Sequence, residues 1–205
     1  MIIFLCSPVA FSPIVPPLAV KKVRYFGETI AVVVAETEQI AKRAAELIRA
    51  EFVQLPVVHS PSAALQPEAP LIHKDLGSYQ RYGPVYPVPD TNIGNHVKIR
   101  KGDMQTGWAT SEVVVEGSYA FNTSDHCAME PRCSIVEVMP SGLIDIQTST
   151  QDPFMIKCLF HLFFQVDQSK VVVHVQFVGG GFGGKGSTQL EYIAYLVMHL
   201  LNHLL

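Results

Sequence analysis

Val178-Gly179-Gly180-Gly181-Phe182-Gly183-Gly184-Lys185 is the stretch on which the fold of this chain turns. An apolar, β-branched segment precedes it, Val171-Val172-Val173-His174-Val175-Gln176-Phe177, and a helix-like segment from Ser187 to Leu201 follows. Five glycines around one aromatic let the backbone approach a ligand closely, with bare N–H groups turned toward it. Strand, glycine loop and helix N-terminus in that order make an anion site.

One candidate is a nucleotide phosphate loop, G-x-x-x-x-G-K-[ST]. Gly179, Gly184 and Lys185 fit that spacing, but Gly186 stands where a hydroxyl should bind magnesium, and Ser187 comes one residue late. The loop also opens the last quarter of the chain, with little room downstream for the parallel strands of such a fold. A glycine-rich turn without a ligand is the plainest alternative.

At 205 residues, 48% of them apolar, the chain is long enough to bury a real core. A net charge of −3 with dispersed lysines and arginines gives no electrostatic reason to expect nucleic acid or an anionic membrane as partner. The densest basic cluster, Lys21-Lys22-Val23-Arg24, reads as a solvated strand entrance. Cys6, Cys127, Cys133 and Cys158 form no C-x-x-C and suit neither zinc nor an iron–sulfur cluster. Reduced thiols in a cytoplasmic protein are expected, with Cys127 and Cys158 buried. The apolar start Met1–Cys6 lacks a basic flank, and Pro8 and Pro13 follow it, so no signal peptide or span is expected.

Residues 1–20, with four prolines, read as an extended lead-in. Thr29 to Ala35 reads as a buried strand. Thr37 caps a helix whose apolar stripe is Ile40, Ala41, Ala44, Leu47 and Ile48. Phe52 to Val58 returns as a strand, closing a β-α-β unit that no strand before Tyr25 completes. Residues 60–89 form a proline-rich excursion in which Tyr79, Tyr82 and Tyr86 pack against neighbours. Beyond Asp103, which caps a helix to about Ser111, strands are expected at Glu112–Phe121, Cys133–Met139 and Leu143–Thr150. A turn at Pro140-Ser141-Gly142 joins the last two. A helix from Pro153 to Phe164 and a strand from Lys170 to Val178 lead to the loop. Thr188 with Glu191 makes a capping box on the last helix. That helix ends without a C-cap glycine on a row of leucines, which predicts aggregation or a partner. The fold class is α+β: a partial β-α-β module over 1–65, a linker over 66–100, and a mixed β domain over 101–205 ending in strand, glycine loop and helix.

Four segments, in order, resemble one family. The run V-G-G-G-F-G-G-K is similar to the pterin-cofactor loop of the xanthine dehydrogenase/aldehyde oxidase family of molybdenum hydroxylases. Val23 to Thr37 resembles the middle of that family's N-terminal hammerhead domain. Asp125-His126-Cys127-Ala128-Met129-Glu130-Pro131-Arg132 resembles its H-x-x-M-E-P segment, and Thr148-Ser149-Thr150-Gln151-Asp152-Pro153-Phe154 its S-T-Q-x-P stretch. The resemblance spans roughly Pro17 to the C-terminus.

It implies that Gly180, Gly181, Phe182, Gly183 and Gly184 press against a molybdenum–molybdopterin cofactor. It also implies 2Fe-2S and FAD groups on partner subunits, and a downstream part of the molybdenum subunit as a further partner. A glutamine that in xanthine dehydrogenase contacts a molybdenum ligand has its position, two residues before His126, filled here by Ser124. A glutamate that hydrogen-bonds purines in related enzymes is replaced by Gly186, so xanthine is in doubt and the substrate open. His126 and Glu130, four apart beside Asp125, invite a metal reading. Without a second histidine the favoured role is hydrogen bonding that backs the cofactor pocket. The family's general-base glutamate lies far downstream. None of Glu112, Glu116, Glu130, Glu137 or Glu191 aligns with it, so no catalytic residue is assigned. The implied activity is hydroxylation of an aldehyde or N-heterocycle with water-derived oxygen; the alternative is a truncated, non-catalytic remnant.

Overall fold

The computed structural model of the chain describes residues 3–4, 18–19, 21–79, 83–186 and 189–202. The expected cap by Ser187 or Thr188, most of the proline-rich lead-in, Cys6, Tyr82 and the last three residues lie outside them.

The C-terminal half carries the core. Strands β3 (Ser134–Val138) and β4 (Ile144–Thr148) pair antiparallel, and β5 (Val171–His174) lies parallel to β4, giving a mixed sheet of order β3-β4-β5. Alternation decides the inward face: Ile144, Ile146 and Thr148 are buried while Gln147 is exposed. The hairpin closes where expected. Gly142 takes φ 78, a left-handed value glycine reaches without a steric cost, while its N–H bonds the Met139 carbonyl at 2.8 Å.

A parallel neighbour for β4 requires a crossover, and helix α4 (Pro153–Phe164) supplies it. Its N-terminus is set by Asp152, whose Oδ1 accepts from Met155 N at 3.0 Å, and by Pro153 in the first turn. It stops at Gln165, which turns left-handed at φ 56. Helix α5 (Leu190–Asn202) packs on β3. Between helices and sheet sit Val136, Ile144, Ile146, Ile156, Phe160, Phe163, Val171 and Tyr192. The Phe160 ring is fully buried, with its centroid 5.2 Å from Tyr195 and 5.6 Å from Tyr192. Glu191 does not lie free at a helix start: its buried carboxylate accepts from the Thr148 hydroxyl, tying α5 to β4.

Several sequence expectations are corrected in the first half. The strand expected over Thr29–Ala35 is only β2 (Val33–Val34), and its partner is β1 (Ile3–Phe4), ahead of Tyr25 and antiparallel. Phe52 to Val58 is not a strand: Val53 and Phe52 are 89% and 68% exposed, and Pro56 removes a ladder donor. The β-α-β unit expected over the first half does not form among its described residues. Helix α1 (Glu38–Glu46) does form, with Ile40 N bonded to Thr37 Oγ1 at 3.3 Å. Only Ala44 of its apolar stripe is buried; Leu47 is exposed. Arg24, expected on a wet strand entrance, instead folds under and pairs with Glu28 at 2.7 Å, both side chains largely buried.

The middle segment holds two short helical turns, α2 (Pro61–Ala64) and a 3-10 turn at Leu76–Ser78. Asn92 staples it: its Oδ1 accepts from Ile72 N at 2.9 Å, and its Nδ2 donates to the Ala64 and Pro70 carbonyls at 3.1 Å. Tyr79 packs edge-on against His73, as a packing role for that tyrosine requires. Helix α3 (Met104–Thr110) is capped by Asp103. The strand expected over Glu112–Phe121 pairs with nothing in the described chain. Among the described residues no helix is long and apolar enough to cross a membrane.

Candidate functional site

The glycine loop leaves the end of the β5 segment and is held on both sides. On one side stands Glu130. Its Oε2 accepts from Gly179 N at 2.9 Å, from Ser149 Oγ at 2.7 Å and from Lys185 Nζ at 2.5 Å, while Glu130 N donates to the Gly179 carbonyl. Lys185 is buried, 2% exposed, so its charge is directed inward at Glu130. The Lys185 ammonium, then Ser149 and the Gly179 amide, hold the Glu130 carboxyl down at about 2. On the other side stands Gln151. Its Oε1 accepts from Gly183 N at 3.1 Å and Lys185 N at 3.2 Å, and its backbone N–H bonds the Lys185 carbonyl at 3.0 Å.

The glycines are required by these clamps. A methyl at Gly179 would lie 2.7 Å from Glu130 Cβ, and one at Gly181 would lie 2.5 Å from Gln151 Oε1. At Gly184 it would meet His126 Cγ at 2.9 Å and the Gly181 carbonyl at 3.2 Å. His126 therefore sits against the loop. Phe182 is left-handed at φ 51, its ring over Gly180 and its side chain 74% exposed. A non-glycine residue in that region costs of order 1–3 kcal/mol and persists only where neighbours hold it.

Hydrogen bonding divides the loop's amides into two sets. Gly179, Gly183, Gly184, Lys185 and Gly186 all donate within the protein, the third and fifth to the Gly181 and Gly183 carbonyls. The N–H groups of Gly180, Gly181 and Phe182 have no acceptor among the described residues. Three consecutive unpaired amides on a turn, next to an exposed ring, can receive the oxygens of an anionic group.

Of the residues singled out by sequence, Gly180, Gly181 and Phe182 present free amides, whereas Gly183 and Gly184 give the loop its turn and its room for His126. Ser124 is exposed and makes none of the hydrogen bonds that hold the loop. Cys127, expected buried, is exposed at φ 48, its thiol 3.6 Å from Asp125 Oδ2. Gln151 is a site residue that the sequence reading does not single out. Its signal is a lone amide side chain between an alternating strand and the Asp-Pro start of a helix. The buried, Glu130-bound Lys185 also disposes of the nucleotide loop, whose lysine must reach the β- and γ-phosphates.

A mixed sheet presenting a clamped glycine loop at the start of its last helix defines a cofactor-binding module. The chain belongs to the family described as the molybdopterin cofactor-binding domain, which matches residues 85–204. Residues 7–56 match the a/b hammerhead domain of aldehyde oxidase and xanthine dehydrogenase. The xanthine dehydrogenase molybdenum-binding subunit of Escherichia coli O157:H7 is 32% identical over 86% of this chain and 22% of its own length. The nicotinate dehydrogenase large molybdopterin subunit of Eubacterium barkeri is 28% identical over 90% of this chain and 40% of its own. The crystal structure of quinoline 2-oxidoreductase from Pseudomonas putida 86 superposes with a TM-score of 0.71 at 28% identity, over 91% of this chain and 22% of that one. The chain thus spans less than half the length of these relatives.

Proposed function

We propose that this chain is the cofactor-facing part of the molybdenum subunit of a hydroxylase that oxidises an aldehyde or N-heterocycle with water-derived oxygen. The observation that carries this is the division of the loop: the Gly180, Gly181 and Phe182 amides have no acceptor among the described residues, while those of Gly179 and 183–186 are engaged. The residues suit an oxygen-rich, anionic molybdenum–pterin group, which would supply two-electron redox chemistry when bound. The three amides bind it, Phe182 offers it an apolar face, and glycine at 179, 181 and 184 leaves room for the clamps. Glu130 and Gln151 fix where those amides point. Gln151 accepts from two of the loop's amides, and we assign it the role of orienting the site.

None of Glu112, Glu116, Glu130, Glu137 or Glu191 is assigned as the general base, so we place that group and the remainder of the pocket in a downstream part of the subunit. Iron–sulfur and FAD partners carry the electrons away, in the cytoplasm. The first half serves as the hammerhead module, 1–65, joined by 66–100 to the cofactor domain, 101–205. The absence of a glutamate at Gly186 disfavours purines among the substrates.

Molybdenum per chain, measured by elemental mass spectrometry on protein purified gently from its own cells, tests the proposal. Near-stoichiometric metal accompanied by pterin is expected. Metal-free protein from molybdenum-replete cells would identify a non-catalytic remnant of the family instead.

A further inference from the structure

Glu112-Val113-Val114-Val115-Glu116-Gly117-Ser118-Tyr119-Ala120-Phe121 alternates with period 2. Odd positions carry Val113, Val115, Tyr119 and Phe121 around Gly117; even positions carry Glu112, Val114, Glu116, Ser118 and Ala120, the more polar face. Such a pattern belongs to a strand with one buried face and one wet face. Yet the apolar side chains are 79, 86, 84 and 93% exposed, and no backbone hydrogen bond joins residues 112–121 to another described segment. The one interruption of the apolar face, Gly117, is covered by the Tyr119 ring, since a methyl there would lie 2.9 Å from the Tyr119 hydroxyl.

We propose that residues 112–121 form a strand that adds to a sheet supplied by the polypeptide completing the molybdenum subunit. The partner presents an unpaired strand edge and an apolar layer for Val113, Val115, Tyr119 and Phe121. Two observations select this occupant over a second copy. The chain spans only 22% of the Escherichia coli relative, so most of that protein's length lies outside it. The strand also runs directly into 125–130, which carries His126 and Glu130 against the loop. The inference rests on the molybdenum-subunit reading.

Photocrosslinking tests it in the source cells. Tyr119, replaced by p-benzoylphenylalanine in the full chain, should crosslink to a polypeptide whose peptides match a molybdenum-binding subunit beyond the region this chain covers. Adding Val115→Lys on the apolar face should reduce that crosslink at least tenfold, while Glu116→Lys on the wet face leaves it. Amides 112–121 of the purified chain alone should exchange hydrogen at unprotected rates. Crosslinks only between copies of this chain, crosslinks to unrelated proteins, no crosslink, or amides already protected in the isolated chain would each overturn the strand proposal. Molybdenum content of the crosslinked complex separates the two ideas. The expected crosslink without metal removes the cofactor reading and keeps the pairing; metal in a complex with no crosslink at Tyr119 removes the pairing alone.

Discussion

Gly181 is the residue at which the clamp on the loop is tightest. Its Cβ-less face admits the Gln151 carboxamide, whose oxygen holds two amides. Gly181→Ala must push that oxygen away, breaking both bonds, and should cost about 1–3 kcal/mol. Hydrogen exchange should show the Gly183 and Lys185 amides losing protection, and stability unchanged in Gly181→Ala would mean the clamp is unimportant. Phe182→Ala, by contrast, removes an exposed ring, so melting should be unaltered while bound pterin falls; equal pterin in both proteins would discard its contact role. Glu130 gives a pH signature. Its folded value of about 2 lies below the ordinary 4.5, so its contribution is complete above 4.5 and fades as pH falls toward 2. Melting temperature should decline over that window in the native chain, and the decline should be shallower in Glu130→Gln. Parallel acid profiles for the two would refute the assignment.

Among the elements, the β4-α4-β5 crossover positions the site, because it brings Gln151 at the end of β4 beside the loop that follows β5. The helix between them is a separate support for the loop. Phe160→Ala should lose about 3–5 kcal/mol by emptying a fully enclosed ring site, and Asp152→Ala about 1 kcal/mol by removing the cap. Denaturant unfolding measures both; a Phe160 variant as stable as the parent would mean the aromatic cluster is not the core. Elements with local signals are legible in the sequence. Asp152 followed by Pro153 marks a helix start, and Pro140-Ser141-Gly142 marks a hairpin, because caps and turns are satisfied by near neighbours. The segments 29–35, 52–58 and 112–121 read as longer strands than the fold contains. A β-branched pattern states what a segment could pair with and not whether a neighbour is present.

For the whole molecule, the notable feature is asymmetry between a closed C-terminal core and apolar side chains left in water elsewhere, Phe177 at 102% and Phe121 at 93% exposed among them. The isolated chain should bind a hydrophobic dye strongly and lose most of that signal in complex with the polypeptide proposed to complete it; a dye-silent isolated chain would contradict an incomplete surface. The family, the glycine loop, the β3-β4 hairpin and helices α1, α3 and α4 can all be read from residue order alone. The family rests on the resemblance of four segments, and the others on local spacing, capping and turn chemistry. Three further facts emerge only once the chain is folded. Glu130 bonds Lys185 and Gly179 across 55 and 49 residues, Gln151 accepts from the Gly183 and Lys185 amides across 32 and 34, and three amides of the loop have no acceptor among the described residues. Hydrogen bonds between segments so far apart depend on how the sheet and its crossover stack, and no local pattern records that.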